Sequence, residues 1–517
     1  MAEKIVSPGV FTDEIDQSFL PAAIADIGAA IVGPTMKGPA LVPTVVSSFS
    51  EFEQIFGNSF KSGSSYQTYL TSLAARNYLK HSNVLTVVRI LDGNFSGASS
   101  LVPKVQSGGP DPGGAAATPH YTGSVTSSTD WTESNSALKF HTLADGAIMN
   151  STSASDGNTF SGTDAESFSM GENGILISGS KHNLRWEVSN INNKKGTFTV
   201  LIRRGDDTIK RKQILETWNN VNLDPNSNNY IAKVIGDSYT TIAGTESEPY
   251  LTFTGTYPPK SKYVRVEVLT QTVDYLDENG NVRVPAASAS LAGPNSGAFG
   301  GASSGYSGFD PMGGFGDSTA TEYLWFDQIS TLTQGFDPTT DNQGKTAYTK
   351  ALNLLSNQDE YDINLLMLPG IIDRQHSAIG QKAIDVCEDR GDCFVLLDSV
   401  VHGSNVSTVK TQAEGHESNY AATYWPWVQI PEPELGKNVW VPPSVALGGI
   451  FAFNDKVAHP WFAPAGLNRG GIDTAVQAER KLTQSNRDDL YESNVNPIAT
   501  FPGQGVTVFG QKTLQKK

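Results

Sequence analysis

Residues 363–397 read INLLMLPGIIDRQHSAIGQKAIDVCEDRGDCFVLL and contain two apolar runs with a helical pattern between them. The first run, Ile363–Leu368, predicts a buried strand that ends at Pro369-Gly370. The second run, Cys393–Leu397, predicts another buried strand, and the intervening Arg374–Glu388 predicts a helix. A strand, a helix and a second strand in this order indicate a mainly parallel sheet with helices packed on it.

The same alternation is present near the N-terminus. Ala29–Val32 and Val84–Leu91 are apolar runs that predict buried strands, and residues 66–80 carry helical spacing between them. Ser50 and Glu53 have the spacing of a capping box at the start of an earlier helix. Neither half contains a complete layered unit, so we interpret both as parts of one discontinuous αβ core.

The region between the two halves has a different character. It is rich in Ser, Thr and Gly and contains short β-prone runs, which indicates a β-rich insertion. The Gly/Ser-rich residues 286–317 predict a long flexible loop. The predicted fold class is therefore mixed α/β, with four parts: an extended N-terminal arm at 1–22, the αβ core at 23–92 plus 320–517, an outer β-rich domain at 93–180, and a second β-rich inserted domain at 181–319.

Composition limits the classes of function. The 517 residues include 53 acids and 37 bases, and the net charge of −16 argues against a nucleic-acid-binding protein. The basic residues at 203, 204 and 210–212 predict a solvated hairpin or helix face. The two cysteines, Cys387 and Cys393, fit a helix-to-strand connection better than a disulfide. No apolar stretch approaches the roughly 18 residues that span a bilayer, so we expect no membrane insertion.

An enzyme is the competing interpretation, because ligands bind at the carboxyl ends of parallel strands. The polar residues there include Asp373, Asp398 and His402, which are of hydrolase-like types. A pocket in which these three side chains contact one another would favour a hydrolase-like αβ enzyme with an inserted substrate domain. The histidines lack the spacing of a zinc site, and no phosphate-binding or nucleophile motif follows a strand. We therefore expect no catalytic residues, cofactor or metal.

The C-terminal part joins a Pro/Gly-rich turn to a short helix and a β-prone tail. Ser485 and Asp488 have capping-box spacing, and Asn496-Pro497 is expected to end the helix that they begin. Val506–Phe509 then predicts a strand. Near the other terminus, Val10–Ile15 predicts a short extended segment, which pairs either within its own sheet or with a neighbour's edge.

Ten short motifs are spread along both halves of the chain. They are SPGV (Ser7–Val10), GP-x-x-x-GP (Gly33–Pro39), F-x-E-F-x-x-x-FG (Phe49–Gly57), V-x-R-x-x-D (Val87–Asp92), Gly391-Asp392-Cys393, Tyr420-Ala-Ala, Trp440-Val-Pro442, PAG-x-NRG (Pro464–Gly470), RD-x-LY (Arg487–Tyr491) and Asn496-Pro497. Each motif is short, but in this order they resemble the tail sheath proteins of contractile-tailed bacteriophages, over about residues 1–92 and 345–517.

The resemblance implies a structural subunit that polymerises helically around a tail tube and contracts to drive the tube through the host envelope. It implies terminal arms that link neighbouring subunits, and outer domains inserted in a shared core. The implied partners are other copies of the chain, the tail tube protein, and the baseplate and tail terminator proteins. The implied location is the virion tail, after assembly in the host cytoplasm. The expected subunit-interface residues are Val10, Phe11, Ile15, Val506, Val508 and Phe509.

One departure from the family pattern is present at the C-terminus. Members of this family usually continue past the position of Lys517 with an Arg-rich segment, further inner-domain residues and the C-terminal arm. Without those residues, the 517-residue chain is expected to be a truncated form that folds but polymerises poorly.

Overall fold

The computed structural model describes residues 28–62, 65–91, 95–104, 133–151, 176, 179–208, 210–302, 342–434, 436–458 and 462–516. The predicted N-terminal arm, with its interface candidates Val10, Phe11 and Ile15, lies outside these residues.

The strands and helices are numbered along the chain. The strands are β1 (Gly28–Gly33), β2 (Thr44–Val46), β3 (Ser59–Ser62), β4 (Ser65–Thr68), β5 (Leu85–Arg89), β6 (Gly97–Pro103), β7 (Ser136–Asp145), β8 (Leu184–Asn192), β9 (Thr197–Arg204), β10 (Ile214–Asn222), β11 (Tyr239–Gly244), β12 (Pro249–Thr254), β13 (Val264–Val268), β14 (Asn295–Ala298), β15 (Ile363–Ile372), β16 (Phe394–Asp398), β17 (Ala421–Trp425), β18 (Val428–Glu432), β19 (Lys437–Val441), β20 (Gln477–Ala478), β21 (Val495–Phe501) and β22 (Gly505–Val508). The helices are α1 (Phe49–Phe56), α2 (Leu70–Leu79), α3 (Ile231–Ile235), α4 (Asn342–Leu355), α5 (Ser377–Arg390), α6 (Val406–Ala413), α7 (Pro443–Val457) and α8 (Gln484–Glu492).

Eight of the described strands form one sheet, in the order β2-β5-β1-β15-β16-β17-β21-β22. The pairs from β5 to β21 are parallel, and the pairs at the two ends of the sheet are antiparallel. Strand β1 lies between β5 and β15, so strands from before and after the inserted region share one sheet. The predicted discontinuous αβ core with a mainly parallel sheet is confirmed.

Helices cover both faces of this sheet, which explains its continuous apolar strands. Along β1, Ala29 and Ile31 pack into a core that includes residues of α1, α2 and α7. The alternate residues Ala30 and Val32 pack into a second core that includes residues of α4, α5, α6 and α8. Because successive strand residues point to opposite faces, a strand covered on both sides must be apolar at every position.

The inserted region forms a unit with its own core, the outer β-rich unit. It contains a four-stranded sheet in the order β10-β9-β8-β14 and a three-stranded sheet in the order β13-β7-β6. The rings of Phe140 and Trp186 lie 6.1 Å apart in the shared core. Strand β7 lies before position 180 and pairs with β13, which lies after it. The predicted boundary between the domains 93–180 and 181–319 therefore does not separate two packing units. Strand β14 lies within the predicted flexible loop at 286–317, so that prediction is wrong for Asn295–Ala298.

Two predicted helix starts are displaced. Helix α1 is capped by Ser48, whose side chain accepts a hydrogen bond from the Glu51 N–H at 3.2 Å. The Glu51 carboxylate accepts in turn from the Ser47 N–H at 3.0 Å, so a reciprocal cap lies two residues before the predicted Ser50/Glu53 pair. Helix α8 is capped by Thr483 and not by Ser485. Helical spacing tolerates such shifts, because several residues near each start have suitable side chains.

Two predicted breaks are also displaced. Strand β15 continues through Pro369-Gly370 to Ile372, with Gly370 at a φ of 94° where the register shifts. Asn496-Pro497 lies inside β21 and does not end α8. The chain leaves that helix earlier, at Asn494, which adopts a φ of 60°.

The predicted solvated basic face is wrong for Arg203. Its side chain is only 2% exposed, and its Nε lies 2.6 Å from a carboxylate oxygen of Asp207. Its Nη1 lies 2.9 Å from Glu187, which also pairs with Lys212 at 2.7 Å. Arg185 donates to Asp207 as well, at 3.0 Å. Arg203 therefore belongs to a buried ion cluster with Arg185, Glu187 and Asp207 in the outer β-rich unit, whereas Lys210, Arg211 and Lys212 are exposed, as predicted.

Candidate functional site

The carboxyl ends of the parallel strands are the first place to look for chemistry. Asp398, at the end of β16, is 2% exposed and contacts the start of α7. Its carboxylate accepts from the Ser444 backbone N–H at 2.9 Å and from the Ser444 hydroxyl at 2.5 Å. Burial raises the pKa of Asp398 to about 7, against the opposing effect of these two hydrogen bonds. Asp398 therefore satisfies an otherwise unpaired N–H in the first turn of a helix.

Asp373, which follows β15, has a different set of partners. One of its carboxylate oxygens accepts from Gln412 Nε2 and pairs with His416 Nε2, both at 2.6 Å. The hydrogen bond with Asp373 raises the pKa of His416, and burial opposes that effect. Asp373 thereby ties the end of β15 to α6 and the loop after it.

His402 is held by aromatic rings. Its ring centroid lies 5.0 Å from that of Trp440 and 5.8 Å from that of Trp427. Within the described part of the chain, no side-chain hydrogen bond joins Asp373, Asp398 or His402 to another of the three. The arrangement that would favour the hydrolase-like alternative is not formed, since each side chain fastens a different pair of elements.

The C-terminal strand β22 is enclosed by its own chain. Val506 and Val508 are 4% and 0% exposed and pack in the sheet core. One edge of β22 pairs with β21, and the segment 466–472 covers the other edge. There the Val508 N–H donates to Gly470 O at 2.7 Å, and the Ile472 N–H donates to Val506 O at 2.9 Å. The prediction that Val506 and Val508 contact a neighbouring subunit therefore needs correction, because their side chains and strand edge are already engaged.

Phe509, the third residue predicted there, is accessible. It is 43% exposed and lies 5.0 Å, ring to ring, from Phe501. Leu467 and Phe462 of the neighbouring turn are 50% and 38% exposed. The Arg469 guanidinium lies 4.4 Å from the Phe462 ring centre. The Gly466 N–H donates to Val508 O at 2.8 Å, which places this turn beside Phe509. We call Phe462, Leu467 and Phe509 the C-terminal surface; exposed apolar side chains near one another are typical of contact sites.

The docking of the tail beyond β22 was not predicted from the sequence. Asn496 donates through Nδ2 to Lys512 O at 2.8 Å and accepts from the Lys512 N–H at 2.7 Å. The Leu514 N–H donates to Ala421 O at 2.9 Å, and the Leu514 side chain is 1% exposed in the sheet core. The Asn496-Pro497 motif was the available signal, but its role depends on a partner that only the fold places beside it.

No metal or membrane site is apparent in the part of the chain that the structure covers. Among the described residues, no group of three or more His, Cys, Asp or Glu side chains is arranged to hold a metal ion. Cys387 and Cys393 are buried free thiols at the predicted helix-to-strand connection. None of the described helices is long and apolar enough to cross a membrane.

Comparison with known proteins identifies the region that contains these features. Residues 343–514 match the family described as phage tail sheath protein central domain. The tail sheath protein of Vibrio phage KVP40 is 34% identical over 119 residues, which are 23% of this chain and 16% of that protein. The tail sheath protein of Enterobacteria phage T4 is 37% identical over 76 residues, 15% of this chain and 12% of that protein. The matched segments thus cover only a small part of these relatives.

A solved structure aligns with this chain at low overall similarity. The sheath tail protein of Listeria innocua aligns with 94% of this chain and 69% of its own length, at 10% identity and a TM-score of 0.44. The matched family region, residues 343–514, includes five of the eight strands of the large sheet. The resemblance noted in the sequence is confirmed over residues 343–514, which match the central domain family of the phage tail sheath proteins.

Proposed function

We propose that this chain is a structural subunit of a contractile phage tail sheath. In this role it polymerises helically around the tail tube and contracts to drive the tube through the host envelope. The observation that carries the proposal is the sheath domain match over residues 343–514, which includes β15 and every described element after it up to Leu514. The chemistry of the core supports it, because Asp373, Asp398 and His402 each join secondary-structure elements.

Polymerisation follows from contacts between copies that do not close on themselves. A head-to-tail contact between two different surfaces of the same chain generates a helical filament. The C-terminal surface supplies one exposed apolar patch of this kind, with Phe509 at 43% exposure. Val10, Phe11 and Ile15 stay predicted interface residues, in an arm that reaches a neighbour.

Contraction requires two alternative packings between the same subunits, of which the contracted one has the lower free energy. Packed interfaces switch between discrete arrangements, so work comes from the difference between two assembled states. The tail tube, baseplate and tail terminator proteins are the further partners in this proposal. The subunit is assembled in the host cytoplasm and resides in the virion tail.

Electron microscopy of the purified full chain tests polymerisation directly. Because the chain is expected to polymerise poorly, we expect tubes or rings with a regular axial repeat only at high protein concentration. The variant Phe509→Ser should reduce their number while leaving the circular dichroism spectrum unchanged. Val284→Ser is a matched control, since Val284 is 54% exposed and lies in the outer β-rich unit. Absence of any ordered assembly over a range of salt and concentration would refute the proposal.

A further inference from the structure

A polar pocket lies on the outer β-rich unit, beside strand β13. Its volume is about 410 Å³, and sites for small molecules usually measure about 300–1,000 Å³. Seven of its ten lining residues have polar side chains, which come from β13, the first residue of β11, the last residue of β12, and the segments next to α3 and after β13. We call it the β13 pocket. Its size and lining suit one small polar ligand.

Strand β13 holds two charged side chains on one side of its sheet. Successive strand residues point to opposite faces, so Arg265 and Glu267 share the face that lines the pocket. Val264 and Val266 point the other way and are buried in the core of the outer β-rich unit. Because that core anchors the strand, the two charged groups are held in place before any ligand binds.

The Arg265 guanidinium has hydrogen-bond donors left for a ligand. It stacks on the Tyr239 ring, with its Cζ 4.0 Å from the ring centre. Burial lowers the pKa of Arg265, and Tyr239, Glu267 and Asp237 oppose that effect. Among the described residues, none accepts a hydrogen bond from its N–H groups. Because a partly buried donor is costly without an acceptor, these N–H groups favour oxygen atoms of a ligand or of water.

The two carboxylates of the pocket each keep one oxygen available. Asp237 Oδ1 accepts from the backbone N–H groups of Thr256 and Tyr257, at 2.8 and 2.6 Å. Glu267 Oε2 lies 2.8 Å from His141 Nε2. The second oxygen of each carboxylate forms no hydrogen bond within the described part of the chain, so it can accept one from a ligand. The first oxygen fixes the orientation of the group.

The charges of the pocket decide the class of ligand. Arg265 carries one positive charge, and Asp237 and Glu267 carry one negative charge each. Burial lowers the pKa of the neighbouring His141 to about 4, so it is neutral at pH 7. The excess of one negative charge disfavours an anion, and the fixed guanidinium disfavours a metal ion. A neutral ligand remains, and hydroxyl groups suit the pocket because each can both donate and accept.

We propose that the β13 pocket binds a neutral saccharide unit. The ring hydroxyls of the saccharide accept hydrogen bonds from Arg265 and donate to Asp237 and Glu267. The Gln271 amide, which is exposed at the rim, adds a donor and an acceptor. Tyr239 adds aromatic surface for the C–H groups of the sugar ring. This inference goes beyond the proposed sheath function and does not require the chain to assemble.

Saturation-transfer difference NMR on the full chain tests this proposal. The neutral probes are the methyl glycosides of glucose, galactose, mannose, N-acetylglucosamine and rhamnose, and the methyl glycoside of N-acetylneuraminic acid is the anionic probe. We expect saturation transfer to at least one neutral glycoside and none to the anionic one. Titration of the neutral glycoside should give a dissociation constant of about 1 mM, because a ligand of this size makes few contacts.

Two variants with matched controls locate the binding. Arg265→Met removes the donors and should weaken binding about tenfold or more, whereas Arg283→Met, at an exposed position of the outer β-rich unit outside the pocket, should not. Thr254→Trp fills the pocket from its exposed rim and should abolish binding. Thr245→Trp, at the exposed turn between β11 and β12, should leave it unchanged. Circular dichroism checks the fold of each variant, and Thr254→Trp decides if Arg265→Met does not fold.

Several results would overturn the inference. One is the absence of saturation transfer to all five neutral glycosides, and another is preferential binding of the anionic glycoside. Binding that Thr254→Trp leaves unchanged would place the saccharide elsewhere, and so would equal losses in Thr254→Trp and Thr245→Trp. None of these results bears on the sheath function, which electron microscopy of assemblies tests separately.

Discussion

The docking of the C-terminal tail can be tested by removing one side chain. Asn496→Ala deletes three hydrogen bonds, to Lys512 O at 2.8 Å, from the Lys512 N–H at 2.7 Å, and to Thr423 O at 3.2 Å. At a net contribution of about 0.5–1.5 kcal/mol per hydrogen bond, the expected loss in the free energy of unfolding is about 2–4 kcal/mol. The upper part of this range applies if Thr423 O stays buried without a partner.

Local opening should be more sensitive than global unfolding, because a chain of several packing units does not unfold in one step. We therefore expect amide hydrogen exchange at residues 510–516 to accelerate about 30-fold or more in Asn496→Ala, as about 2 kcal/mol implies. Leu514→Ala should accelerate it similarly, because this side chain is 1% exposed and truncation of a buried Leu costs about 2–5 kcal/mol.

Gln511→Ala is the control for these two variants, since Gln511 lies in the same tail and is exposed. Its exchange pattern should match that of the unmodified chain. If Asn496→Ala changes exchange at 510–516 by less than threefold, the hydrogen bonds of Asn496 do not hold the tail, and the reasoning is wrong.

Three further predictions concern the buried polar groups. The pKa of His416 is raised in the folded chain by its pairing with Asp373. This pairing therefore stabilises the fold fully below pH 6.5, and the stabilisation is lost as the pH rises through the folded-state pKa. His416→Gln should remove this part of the pH dependence of thermal unfolding between pH 5 and 9. Asp207→Ala should destabilise the outer β-rich unit by about 3–5 kcal/mol in urea unfolding, because it leaves Arg203 buried without its main partner. A loss below about 1 kcal/mol would contradict the assignment of a buried ion cluster. Gly380→Ala places a methyl group inside the contact distance of an Asp373 carboxylate oxygen. It should therefore lower the free energy of unfolding by about 1–3 kcal/mol. Because it disturbs the pairing of Asp373 with His416, the stability of this variant should also depend less on pH than that of the unmodified chain.

The large sheet was the most predictable part of the molecule. Strands such as Ile363–Leu368 are buried on both faces, so their apolar side chains are continuous along the sequence and report burial directly. The helix starts were less predictable. Ser48 and Ser50 have the same hydroxyl group, and only the path of the chain into α1 decides which of them caps it.

The roles of the polar residues were the least predictable. Asp398 was considered as a catalytic acid from its place at the end of a strand, yet its partner Ser444 lies 46 positions further along the chain. Arg203 was expected in solvent, because a run of basic residues does not show that Glu187 of the neighbouring strand β8 and the nearby Asp207 will enclose one of them. The cleft that Phe253, His141 and Thr346 line had no sequence signal, since its walls come from segments far apart in the chain.

By itself, the sequence determined the αβ alternation, the interruption of the core, and the resemblance to tail sheath proteins, because periodic burial and short motifs are local properties of the chain. The tertiary structure decided which side chains are available to a partner. Val506, Val508 and Phe509 lie close together in sequence and are all apolar, but only Phe509 lies outside the sheet core. Exposure depends on what covers a residue, and the covering segment 466–472 reaches β22 only when the chain has folded.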